Sequence, residues 1–190
     1  VMWGNNMAEM HPVLFSRVLD RRLRHPDTLI VDIATRTTRT SHAADRSILF
    51  RPQTDLAVAN AICHEIINNG WVNRDFVDRH VAFKAGKTDI GYGTEDGFAF
   101  KDAARDLDLA DFREFLQDYT PEKVERISGV AADDIRYLAA LYGDPARKVV
   151  SFWCMGMNQH TRGTWINNLV YNIHLLTGKI SQPGNGPFSL

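Results

Sequence analysis

Residues 28–33, Thr-Leu-Ile-Val-Asp-Ile, constrain the fold of this 190-residue chain more than any other stretch. A short, nearly unbroken apolar run is how a strand reads when both of its faces are covered, and such strands belong to parallel sheets clad by helices. The rest of the chain supplies neighbours and cladding. Residues 1–3 read as the tail of a strand running into Gly4-Asn5-Asn6, residues 47–50 (SILF) as a shorter strand, and residues 148–154 (KVVSFWC) as the clearest late one. Pro12 suits the first turn of a helix, with Val13, Leu14, Val18 and Leu23 expected on its inner side and Arg17, Arg21, Arg22 and Arg24 outside. Residues 55–69 repeat Leu56, Ala59, Ala61, Ile62, Ile66 and Ile67 at helical spacing and stop at Gly70. Further helices are expected over 73–81, 111–119, 132–142 and 165–177, and from the Thr120-Pro121 cap to Gly129. The alternation predicts one α/β layered domain over 1–190 around a mostly parallel sheet, with a glycine-rich surface excursion near 82–111.

Composition narrows the function. Lys and Arg total 22 against 23 Asp and Glu, which removes the usual electrostatic case for a nucleic-acid partner. No run of about 18 apolar residues exists, so membrane insertion is not expected. Cys63 and Cys154 are the only cysteines, and the seven histidines lack paired metal-ligand spacing, so no metal site is expected within the chain. The sequence opens on Val1-Met2-Trp3 and closes on Pro187-Phe188-Ser189-Leu190 after a glycine-rich turn, which reads as an internal piece of a longer protein.

In open α/β sheets ligands bind beyond the carboxyl ends of the strands. Three such ends carry polar sets: Trp3-Gly4-Asn5-Asn6-Met7; Asp32 with Ala34-Thr35-Arg36-Thr37-Thr38-Arg39-Thr40; and Met155-Gly156-Met157-Asn158-Gln159-His160-Thr161-Arg162-Gly163. Glycine admits close backbone approach, hydroxyls and guanidinium groups suit an anionic pyrophosphate, and an acid some way beyond the first turn suits ribose hydroxyls. Singly, each set also reads as a turn, a solvated loop or, for His160, an ordinary loop histidine; Cys63 reads as a buried apolar residue. Their expected convergence on one crevice favours a bound group. Nucleophile-elbow and P-loop motifs are absent, so the chain reads as a holder and not as the chemical engine.

Several segments then resemble one family. Trp3-Gly4-Asn5-Asn6-Met7-Ala8-Glu9-Met10-His11-Pro12, Phe50-Arg51-Pro52-Gln53-Thr54-Asp55-Leu56, the 155–163 loop, Asn167-Asn168-Leu169-Val170-Tyr171-Asn172 and the 175–184 segment (LLTGKISQPG) occur in the order found in the DMSO-reductase family of molybdopterin oxidoreductases, on its periplasmic nitrate reductase branch. The resemblance implies a Rossmann-like three-layer domain that binds one of two molybdopterin guanine dinucleotides. By motif position, Trp3, Gly4, Asn5, Asn6, Met7, Ala8, Glu9 and Met10 would line the pterin and pyrophosphate path. Asp32, Ala34, Thr35, Arg36, Thr37 and Thr38 would meet the guanosine ribose and phosphates. Gln53, Thr54 and Asp55 would lie at guanine, and Met155 and Gln159 would approach from the last loop. Arg162 would draw and orient nitrate, or else pair with an acid of another domain.

The resemblance further implies parts that these 190 residues do not contain: the molybdenum ligand, the cysteines of a [4Fe-4S] cluster, a second dinucleotide domain and a β-barrel. Molybdenum bis(molybdopterin guanine dinucleotide) would carry the chemistry in the whole enzyme, which would work in the periplasm with a c-type cytochrome as electron donor and its own remaining domains as neighbours. The fragment itself would be inactive. A formate dehydrogenase-like molybdoenzyme and a non-catalytic nucleotide-binding module are the rival readings.

Overall fold

The computed structural model describes residues 1–84 and 106–190, so most of the expected excursion lies outside the described residues. The chain runs β1 (Met2–Trp3), α1 (Met7–Met10), α2 (Pro12–Arg24), β2 (Val31–Ala34), α3 (Arg39–Ala43), β3 (Arg46–Leu49) and α4 (Asp55–Asn68). It continues through α5 (Arg74–His80), β4 (Phe83–Lys84), β5 (Asp106–Leu107), α6 (Leu109–Leu116), α7 (Pro121–Ser128), α8 (Ala132–Gly143), β6 (Val150–Trp153), α9 (Met155–Asn158), α10 (Gly163–Thr177) and β7 (Gly186–Ser189). Five strands form one sheet in the order β3-β2-β1-β6-β7, and every neighbouring pair is parallel. Strands β4 and β5 pair antiparallel as a separate ribbon.

Register decides what each face holds. Met2 lies opposite Asp32 and Phe152, and Asp32 opposite Ser47, so these four share one face. Trp3 lies opposite Ile33 and Trp153, and Ile33 opposite Ile48, which puts the bulkiest strand residues on the other. That second face meets α4, which packs against α6, α7, α8 and α10 and buries Val58, Ala59, Ala61, Ile62, Cys63 and Ile66. Burial on every side explains why α4 reads as apolar nearly all round, and it pushes the Cys63 thiol up to about 12, so the thiol stays protonated. The first face has a smaller core of Met2, Met7, Phe15 and Ile30, covered by α1, α2 and α3.

The large face also contains a hydrogen-bond chain whose direction is fixed by its ends. The Trp3 indole N–H can only donate, and it reaches the Tyr142 hydroxyl at 3.0 Å. The Lys179 carbonyl can only accept, so His174 Nδ1 carries the proton in their 2.6 Å contact and Nε2 is left as an acceptor. Ser151 Oγ therefore donates to His174 Nε2 at 2.7 Å and accepts from Tyr142 at 2.6 Å. The chain crosses β1, α8, β6 and α10 with each member satisfied. Burial drives the His174 pKa down to about 4 and the Tyr142 hydroxyl up to about 12, so both stay neutral.

Caps end helices where turn chemistry expects. Thr120 accepts from the Lys123 amide at 3.3 Å, Pro121 opens α7, and Gly129 closes it at φ +77°. Three expectations change. The inner side of α2 is Phe15, Val18 and Leu19, while Val13 and Leu23 are 76% and 82% exposed, because docking onto Met2 and Ile30 rotates the helix relative to its apolar count. The short helices α1, α3 and α9 fall inside stretches read as loops. The fifth strand, β7, carries Gly186 and Pro187 and no apolar run; parallel pairing with β6 makes it a strand.

Candidate functional site

From β1 the chain builds outward to β2 and β3, then returns through α4 to α8 and enters the sheet on the opposite side of β1 as β6. The strand order therefore reverses between β1 and β6, the place where such sheets open a crevice at their carboxyl edge. Backbone forms the floor there. The Gly156 amide donates to the Gly4 carbonyl at 3.0 Å, and a Cβ on Gly156 would stand 2.3 Å from that oxygen. Gly4 has φ +56°, and a Cβ there would press on Met157 Sδ at 2.8 Å.

The loops after β1 and β2 are stitched together. Thr40 Oγ1 donates to Asn6 Oδ1 at 3.2 Å and accepts from the Ala8 amide at 3.0 Å. Asn6 donates to Glu9, which also pairs with Arg39 at 3.2 Å. Thr38 caps α3, with Ser41 returning a bond to the Thr38 amide at 2.8 Å. Thr35, Arg36 and Thr37 stand exposed beyond β2. Among the described residues, Arg36 has no carboxylate partner.

Several residues expected to line the crevice lie beneath it. Trp3 and Met7 are fully buried, in the large and the small core respectively, and Asn5 turns inward to donate to the Phe152 carbonyl at 2.8 Å. Ala34 is buried as the last residue of β2. Asp32 was expected to meet a ribose, yet it is 0% exposed, because β2 runs two residues past it. Its Oδ2 accepts from Ser41 Oγ at 2.5 Å, its Oδ1 has no partner, and burial raises its pKa above the usual carboxylate value. Its carboxylate therefore faces α3 from within the sheet. Ala8 and Thr38 are half-buried, whereas Glu9, Met10, Gln53, Met155, Gln159 and Arg162 are exposed.

The loops after β3 and β6 close around a cavity of about 170 Å³ lined by Gln53, Leu56, His160, Thr161 and Arg162. Gln53 stands at φ +65°, a left-handed conformation that costs a non-glycine residue energy. Asp55, expected at guanine, is 1% exposed with both oxygens taken: Oδ1 by the Leu56 amide at 3.0 Å, Oδ2 by His160 Nε2 at 2.9 Å. His160, 105 residues away in sequence, thus joins the site where only a loop histidine was expected. Arg162 lies over the Trp165 ring with its guanidinium carbon 5.6 Å from the centroid, and among the described residues it has no carboxylate partner.

Two guanidinium groups without a carboxylate partner among the described residues, a run of hydroxyls and a backbone floor suit an extended anionic ligand lying along this edge. Gln53 and Arg162, expected at opposite ends of such a ligand, face one cavity. Among the described residues no cluster of His, Cys, Asp or Glu suits a metal ion. Among known families, residues 1–190 match Molybdopterin oxidoreductase from end to end. Among solved structures, acetylene hydratase from Pelobacter acetylenicus superposes with a TM-score of 0.66 at 17% identity, over 96% of this chain. That likeness shows a shared α/β fold, and the chain spans 22% of the length of that protein.

Proposed function

The chain belongs to the molybdopterin oxidoreductase family, and from that premise we propose that it holds one molybdopterin guanine dinucleotide for an enzyme that reduces nitrate to nitrite. The observation that carries this reading is the carboxyl edge of the sheet, where loops after β1, β2, β3 and β6 combine a glycine floor with Arg36 and Arg162, neither of which has a carboxylate partner among the described residues. The missing side chains at Gly4 and Gly156 give a phosphate-bearing group close access, and Thr35, Arg36, Thr37 and Thr38 supply donors to its oxygens. Gln53 offers donor and acceptor atoms to the edge of a base. Met155 and Gln159 approach from the far side of the crevice. The bound molybdenum group supplies the chemistry, in which nitrate, two electrons and two protons give nitrite and water. The residues of this chain bind, orient and exclude water.

The nitrate assignment rests on the order of the sequence segments that resemble the periplasmic branch. With it come a periplasmic location, a c-type cytochrome donor, and a [4Fe-4S] cluster and metal ligand outside these 190 residues. Arg162 draws nitrate toward the metal end. A second reading has its own observation: Arg162 shares a cavity with Gln53, so its fork instead binds a phosphate or base edge of the nucleotide.

One substitution separates them. Arg162→Lys keeps the charge and loses the planar fork, so in the complete enzyme the nitrate reading expects kcat/KM per molybdenum to fall by roughly tenfold or more at normal cofactor content. Reduced molybdenum content with normal turnover per metal would move Arg162 to the nucleotide. For the wider proposal, calorimetric titration of the chain with GDP and with ADP should favour GDP, and equal affinities would sink the guanine assignment.

A further inference from the structure

We propose that His160 is a positioning residue: held by Asp55 in its Nε2–H tautomer, it fixes the backbone of Arg162 and so aims that guanidinium into the cavity. The aiming step rests on the reading of Arg162 as an anion contact; the hold on the backbone does not.

The tautomer follows from the partners. The Asp55 carboxylate can only accept, so the 2.9 Å contact with His160 Nε2 requires a proton on Nε2. The Arg162 amide can only donate, so its 3.3 Å contact with His160 Nδ1 requires a lone pair there. A neutral imidazole with its proton on Nε2 satisfies both. Neither nitrogen is left free for proton transfer, so the ring is not a base toward a ligand. Nor is this a solvated loop histidine: the side chains of Asp55 and His160 are 1% and 16% exposed. In so dry a contact, losing either partner strands a polar group.

The hold acts where Arg162 is aimed. Arg162 is the N-cap of α10, and its side chain makes no capping bond. The next amide, Gly163 N–H, donates to the His160 carbonyl at 2.9 Å. Ring and main chain of one histidine therefore hold both amides leading into α10. The turn is close-packed there, since a Cβ at Gly163 would stand 2.0 Å from the Asn158 carbonyl oxygen. At the far end, Asp55 opens α4, which packs along α10, so the contact bolts the starts of two neighbouring helices together. Arg162 then leaves a fixed backbone, stacked over Trp165, toward the cavity.

Two substitutions separate the halves of the ring. In His160→Asn the amide oxygen takes the place of Nδ1 and still accepts from the Arg162 amide, but it falls short of Asp55. In His160→Gln the amide nitrogen reaches Asp55, and no acceptor remains at Nδ1. Nitrogen-15 NMR of the chain should show His160 protonated on Nε2 and bare on Nδ1. The Arg162 amide resonance should move in His160→Gln and stay near its wild-type position in His160→Asn. GDP, titrated calorimetrically, should bind roughly fivefold more weakly to His160→Gln than to His160→Asn, with His160→Gln approaching Arg162→Ala. A proton on Nδ1, or an Arg162 amide unmoved in His160→Gln, overturns the proposal. If Arg162→Ala binds GDP as tightly as wild type while the tautomer and amide shifts hold, the anion reading and the aiming step fall together and the backbone hold stands.

Discussion

The two faces of the sheet are built from the same four strand segments and differ in almost everything else. One carries Trp3, Ile33, Ile48 and Trp153 beneath α4, α8 and α10; its buried polar chain from Trp3 to Lys179 is closed at every link, and among the described residues the Trp153 indole nitrogen beside it has no partner. The other carries Met2, Asp32, Ser47 and Phe152 under three helices of 4, 13 and 5 residues, and leaves Asp32 Oδ1 without a partner. Register alone makes this division, since neighbouring residues on one strand serve opposite faces. The comparison teaches that buried polarity is not of one kind. A satisfied chain locks its surroundings, whereas a half-satisfied carboxylate is a cost that the surrounding packing must carry.

The largest expected effect tests the locked face. Trp3→Ala should cost about 3–5 kcal/mol in urea denaturation, from the cavity it leaves and the donor it withdraws from Tyr142. A loss under about 1 kcal/mol would mean that the large core does not depend on the β1 anchor. Acid comes next. Burial lowers the His174 pKa from 6.5 to about 4, so the unfolded chain takes up a proton that the native ring refuses. Stability from this group is therefore complete above about pH 6.5 and drains away down to about pH 4, by roughly 3 kcal/mol. Denaturation at pH 7 and pH 4.5 should show a smaller acid loss in His174→Gln than in wild type; parallel curves would exclude the ring as the cause.

The other face should respond weakly and with the opposite sign. The Asp32 pKa is raised, so the native state binds that proton more tightly than the unfolded chain, and the stability it lends in acid is lost as pH rises through the native pKa. Asp32→Asn should remove that acid gain and change stability at pH 7 by less than about 1 kcal/mol, because relief of a buried charge offsets a weakened Ser41 bond. A loss of several kcal/mol at pH 7 would show that the carboxylate is a structural anchor after all. Smallest of all, Leu23→Lys on the outer side of α2 should stay within about 0.5 kcal/mol, and a larger drop would mean that the residue is covered.

What the sequence could foretell follows the same division. Residues 28–33 announce a buried strand, which forms over Val31–Ala34, and residues 55–69 a helix, because their apolar density leaves few alternatives. Gly129 and Gly178 mark helix ends through left-handed backbone that few other residues adopt easily. The site was legible as a set of loops and not as contacts. Counting from Gly4 to Asp32 gives a chain separation, and only pairing with β1 and β3 places the acid inside β2 and beneath the surface. Asp55 and His160 meet across 105 residues through the packing of α4 on α10, and no local pattern encodes that meeting. Strand β7 escaped notice because hydrogen bonds from β6 define it, and its own composition does not.

The contact between Gly4 and Gly156 bears on how such a site tolerates change over time. Its floor presents main-chain atoms, which every amino acid shares, so the loop side chains can drift and retune what is recognised without redrawing the surface beneath. That freedom hangs on the narrowest of conditions: a single methyl group at position 156 would intrude upon the Gly4 carbonyl and part the two loops. The closeness of the two loops is thus set by what one residue lacks.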